Sequence, residues 1–113
     1  DVHDIGKNIV KTVLENYGYR VIDLGKNVPP EEVAAACETY SVKLCGLSAL
    51  MTTTVDNMRI TVGEVKRRCP SCKVMVGGAV LTAEYAEKIG ADKYCRDAAA
   101  SARYAGEIFG TGR

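Results

Sequence analysis

The stretch KLCGLSALMTTTVDNMRITVGEVKRRCPSCKVMVGG, residues 43–78, decides the fold. "KLCGLS" reads as a short strand and "VMVGG" as a buried one. Between them "TVDNMRITVGEVKRR" sets Val55, Met58, Val62 and Val65 on one helical face. Two neighbouring strands joined by a helix run parallel, and such crossovers are right-handed. The unit is strand, helix, strand in one parallel sheet.

The same alternation continues in both directions. Ile5, Ile9, Val10, Val13, Leu14 and Tyr17 recur at helical spacing and Gly18 supplies a stop, which predicts a helix over 5–17. "YRVIDL", residues 19–24, follows as a strand. Pro29 and Pro30 open a helix through "EEVAAACETY", because the N–H that proline lacks would be unpaired in a first turn anyway. Downstream, Thr82 caps a helix in "AEYAEKIG", "DKYC" at 92–95 is a short strand, and "AAASARYAGEIF" at 98–109 is the closing helix. The expected architecture is a single α/β domain over 1–113, a Rossmann-like (flavodoxin-like) doubly wound parallel sheet with helices on both faces. A helix that starts near residue 5 should be fed by a strand, so an apolar strand, central in the sheet, is expected upstream of Asp1.

Charge and composition narrow the function. The 15 basic and 14 acidic residues leave a net charge of +1, which gives no electrostatic reason for a nucleic-acid or anionic-membrane partner. Apolar runs such as "VMVGGAVL" are far shorter than the roughly 20 residues of a membrane helix, and no signal peptide opens the chain. Five cysteines, at 37, 45, 69, 72 and 95, are an odd number spread through apolar segments. They read as reduced thiols in a cytoplasmic protein rather than a secreted disulfide framework. "CPSC" has redox or zinc spacing, but zinc would want a second pair or histidines, and a thioredoxin-like pair belongs where a strand enters a helix. Lying between helix and strand, it reads as a turn.

Ligands of doubly wound sheets bind beyond the carboxyl ends of the strands. Three segments fall at that edge: "DVHDIG" at 1–6, "LSALMTTT" at 47–54 and "VGGAVLT" at 76–82. They hold three short patterns. Asp1, His3 and Gly6 form D-x-H-x-x-G around the only histidine of the chain, Ser48 and Leu50 form S-x-L, and Gly77 and Gly78 form G-G. Each has an ordinary reading as well: Asp1 as a helix cap, Ser48 as a loop cap, the glycines as a tight turn.

Together and in this order, the three patterns resemble the cobalamin-binding signature of the corrinoid-dependent methyltransferase family. The resemblance runs along the whole chain, through "DIGKNIV", "DLGKNVP" and "GLSALMTTT". It is strongest to the small corrinoid proteins of methylamine, methanol and methoxy-compound methyltransferases, with the cobalamin domain of methionine synthase next.

The resemblance implies cobalamin as cofactor, bound with its own base displaced and His3 as the cobalt ligand. An adjacent carboxylate fixes the tautomer of a ligating imidazole, a part that falls to Asp1. Val2, Asp4, Ile5 and Gly6 complete that segment of the cofactor site, Gly6 letting the first helix start close to the nucleotide tail. Ser48 would bond the buried benzimidazole, Leu50, Met51 and Thr52 would border the corrin ring, and the Thr54 hydroxyl would join the relay of Asp1 and His3. Gly77 and Gly78 would keep side chains out of the tail slot, while Tyr94 and Asp97 would reach the tail or simply end their strand.

The implied function is methyl carrying through cob(I)alamin and methyl-cob(III)alamin. The partners are a substrate-specific methyltransferase and an acceptor methyltransferase serving tetrahydrofolate or coenzyme M, with a reductive activator. The domain has no catalytic residue of its own in this reading. A carbon-skeleton mutase would share D-x-H-x-x-G, but there arginine usually stands where this chain has Ile5. A cobalamin sensor would carry the same site beside a DNA-binding or signalling domain.

Overall fold

The two prolines at 29 and 30 set the start of the first complete helix in a computed structural model, which describes residues 14–16, 18–22, 24, 28–48, 52–78 and 81–110. Pro29 is the N-cap and Pro30 the first helical residue of α1, Pro30–Tyr40. Ser41 ends that helix in the left-handed region at φ 50°, a conformation that usually falls to glycine. The chain continues through β1 (Leu44–Ser48), α2 (Thr52–Arg68), β2 (Lys73–Gly77), α3 (Ala83–Lys88), β3 (Lys93–Tyr94) and α4 (Ala98–Phe109).

The three strands form one parallel sheet in the order β1-β2-β3, with Cys45 opposite Val74 and Ser48 opposite Gly77. The short β3 is extended at both ends by backbone bonds to β2, from Asp92 N–H to the Val74 carbonyl at 2.8 Å and from Cys95 N–H to the Val76 carbonyl at 2.9 Å. Those bonds span the predicted 92–95.

Val74, Met75 and Val76 of β2 are all buried, as a parallel strand covered on both faces requires. Val74 and Val76 pack with Met58, Val62 and Val65 of α2 and Val33, Ala34 and Cys37 of α1. Met75 faces the opposite layer, among Leu14, Cys95, Ala102 and Ala105. This α/β sandwich is the expected fold class. At about 25 cal/mol per Å² of apolar surface, burying one such valine or methionine contributes roughly 1.5–3 kcal/mol.

Local signals set the helix ends. Gly18, at φ +91°, follows helical residues 14–16 and bonds its N–H to the Glu15 carbonyl at 2.9 Å. The rest of the predicted 5–17 helix lies outside the described residues. Thr82 Oγ1 accepts the Tyr85 N–H at 3.2 Å to cap α3, and Cys72 N–H bonds the Cys69 carbonyl at 2.9 Å, so "CPSC" is a turn between α2 and β2.

One expected strand is absent from the described residues. Tyr19, Arg20, Val21, Ile22 and Leu24 form no ladder. Apolar character still brings Tyr19 and Val21 onto the Met75 layer, where the Tyr19 ring lies 5.2 Å from that of Phe109. A strand exists through a ladder with a neighbouring strand, and the described residues of this segment join none; the Tyr19 N–H bonds instead to the Leu14 carbonyl at 3.2 Å.

Candidate functional site

The carboxyl ends of β1 and β2 bring two of the three sequence patterns side by side. Ser48 and Gly77 are register partners at the last positions of their strands, and Gly78 follows at φ +130°, a conformation that glycine takes without strain. Ser48 is exposed, and α2 opens four residues later with Thr52, so Thr52 and Thr54 sit in the first turn of the helix that leaves this edge. Asp1, Val2, His3, Asp4, Ile5, Gly6, Leu50 and Met51 lie outside the described residues.

Gly77 has a packing reason that its sequence context does not reveal. A Cβ there would stand 2.7 Å from the carbonyl oxygen of Cys95, a backbone atom that cannot swing aside. The missing side chain therefore lets the end of β3 close against β2. Tyr94 and Asp97 likewise hold the frame around the edge. The Tyr94 hydroxyl donates to the Leu81 carbonyl at 3.3 Å and so ties β3 to the segment after Gly78, while Leu81 N–H bonds the Gly78 carbonyl at 3.1 Å. Asp97 Oδ1 accepts the Ala100 N–H at 2.7 Å as the cap of α4. Leu81 and Cys95 are thus parts of the edge that no sequence pattern marks.

Ser48 and Gly77 end their strands side by side, and neither Gly77 nor Gly78 carries a side chain there. Among the described residues no three ligating side chains are placed to hold a metal ion. A depression of about 340 Å³ beside Tyr94, lined also by Ala83, Ala86 and Lys93, lies between α3 and β3 and touches neither Ser48 nor Gly77. No described helix is long and apolar enough to cross a membrane.

A parallel α/β domain with two glycines at its carboxyl edge is of a class that binds nucleotides and cofactors at that edge. The chain belongs to the B12 binding domain family, whose model matches residues 1–105, and its cofactor is cobalamin. It is 41% identical over 110 residues to dimethylamine corrinoid protein 1 of Methanosarcina acetivorans, covering 96% of this chain and 52% of that protein. The monomethylamine corrinoid protein of Methanosarcina barkeri superposes with a TM-score of 0.86 at 34% identity, over 96% of this chain and 53% of that one. The methanol:cobalamin methyltransferase complex of the same organism does so with a TM-score of 0.91 at 34% identity, over 97% of this chain and 43% of that one. The chain thus spans about half the length of the curated relatives it matches.

Proposed function

We propose that this domain is the methyl-carrying module of a corrinoid protein, passing a methyl group from a substrate methyltransferase to an acceptor methyltransferase. The observation that carries the reading is the adjacency of Ser48 and Gly77-Gly78 at the carboxyl edge of a chain that also contains D-x-H-x-x-G. Similarity to methylamine corrinoid proteins supports it along 96% of the chain. Cobalamin, when bound, supplies the cobalt that takes up and releases the methyl group.

The residues of this chain bind and tune. His3 is the cobalt ligand in this reading, and Asp1 accepts the other imidazole N–H, which fixes the tautomer and makes the ring a better donor. Thr54 extends that relay. Ser48 bonds the displaced base, Gly6 and Gly78 give the nucleotide tail room, and Leu50, Met51 and Thr52 border the corrin ring. The partners are the two methyltransferases and a reductive activator. The setting is cytoplasmic, where the five free cysteines stay reduced.

Electron paramagnetic resonance of the cobalt(II) form of the reconstituted full-length protein tests the ligand. Nitrogen coupling in the native protein and its loss in His3→Ala are expected. Coupling that persists in the variant overturns the assignment. Methyl transfer from dimethylamine in the presence of its methyltransferase, followed by the cobalamin spectrum, tests the carrier role.

A further inference from the structure

Gly46 stands in the middle of β1, where a glycine weakens a strand and often marks the close approach of another group. Its register partner is Met75, and Ser48, two residues on, is the partner of Gly77. Alternate residues of a strand share a face, so Gly46, Ser48, Met75 and Gly77 lie on one side of the sheet. A Cβ at Gly46 would stand 3.1 Å from Met75 Cε and 3.7 Å from Met75 Cγ, which places the missing side chain on that side. Packing explains Gly77, where a backbone carbonyl blocks the Cβ at 2.7 Å. It does not explain Gly46 in the same way, because Cε is the free end of a flexible side chain and can yield a few tenths of an ångström.

Parallel strands are covered on both faces, and Cys45 on the other face of β1 is buried. Gly46 and Ser48 are nevertheless both exposed. They lie about 7 Å apart along the strand, at roughly 3.3 Å per residue, with Ser48 at the carboxyl edge and Gly46 further in. Met75 is buried beside them among Leu14, Ala102 and Ala105, and the Cys95 thiol lies 3.9 Å from its Sδ. The thioether is thus packed from behind, with its methyl group toward Gly46.

We propose that the base of the nucleotide tail lies along β1 from Ser48 to Gly46, against the Met75 thioether, and that this seat selects a benzimidazole over a purine. The inference rests on the cofactor assignment above and gives Gly46 and Met75 a part in it. The span between the two exposed positions matches the length of a fused two-ring base, and a thioether beside an aromatic ring is a favourable contact. Of these four residues only Ser48 carries a hydroxyl. A benzimidazole has one free ring nitrogen to match it, whereas adenine adds an amine and further ring nitrogens that the seat leaves unpaired.

The test compares cobalamin with its analogue carrying adenine as the base, each bound to the full-length apoprotein and measured by ultrafiltration with corrin absorbance. The native protein is expected to hold cobalamin about tenfold or more tighter, since a buried polar group left unpaired carries a penalty of that order. Gly46→Val should weaken cobalamin about tenfold or more and Gly46→Ala less, while circular dichroism shows both apoproteins folded, because the added carbons occupy the seat itself. Equal affinity of the native protein for the two cobamides, or of native protein and Gly46→Val for cobalamin, would overturn the inference and leave the cofactor assignment standing. A native protein that takes up cobalamin with the base still on cobalt, read from its visible spectrum, would overturn the assignment beneath it. The native preference needs no variant and is decisive even where Gly46→Val impairs folding.

Discussion

At Gly77 a single added methyl group would meet the Cys95 carbonyl oxygen at 2.7 Å. Backbone on both sides must move to admit it, so Gly77→Ala is expected to cost about 1–3 kcal/mol, the usual range for overpacking. Urea unfolding of the apoprotein measures this as a lower midpoint at an unchanged slope. A midpoint equal to that of the native protein would show that β2 and β3 are looser than the contact implies. Gly78 carries a different constraint, its φ of +130°, which strains any other residue whatever space surrounds it. The sequence marks both glycines but not these causes, because Cys95 lies 18 residues from Gly77 and a dihedral angle leaves no trace in a dipeptide.

Helix ends separate the capping role of Asp97 from contact with a ligand. Its carboxylate accepts the Ala100 N–H, so Asp97→Ala should cost α4 about 1 kcal/mol, while Asp97→Asn, also a good cap, should restore most of it. Thermal melts of the two apoproteins make the comparison, and equal losses in both would assign the effect to charge instead. The sequence announced nearly every helix, since caps, prolines and glycines act within one turn: Pro30 and Thr82 start helices where their residue types predict, whereas Asp97, read as a tail contact or a strand end, turns out to cap α4. The segment 19–24 shows the complementary limit. Its apolar character is local, but a ladder needs a second strand beside it, which no local pattern can supply. Ser41 ends α1 without the glycine that sequence reasoning looks for.

On the scale of the molecule, one polar node ties three elements. Lys66 of α2 pairs with Asp92 and donates to the Cys72 carbonyl at 3.1 Å, and Asp92 also accepts the Val74 N–H at 2.7 Å. Partial burial acts to raise the Asp92 pKa, but the Lys66 ammonium and the Val74 N–H outweigh it and hold the carboxyl below its ordinary value. A folded pKa below the unfolded one, about 3.9, means that the stabilisation is complete above that unfolded value. It is lost as pH falls through the folded value. Urea midpoints of native protein and Asp92→Asn should therefore differ at pH 6 and converge toward pH 3. A gap independent of pH would assign the loss to shape rather than charge.

Central strands of this kind open only when the whole domain does. With Val74, Met75 and Val76 buried and β2 bonded on both sides, its amides should be among the last to exchange with deuterium. Gly77 ends that strand, and the carboxyl edge is thereby anchored to the most persistent part of the molecule. Ser48 and Gly77 hold their spacing for as long as the domain stays folded, so that corner of the sheet keeps one shape whether or not anything rests against it.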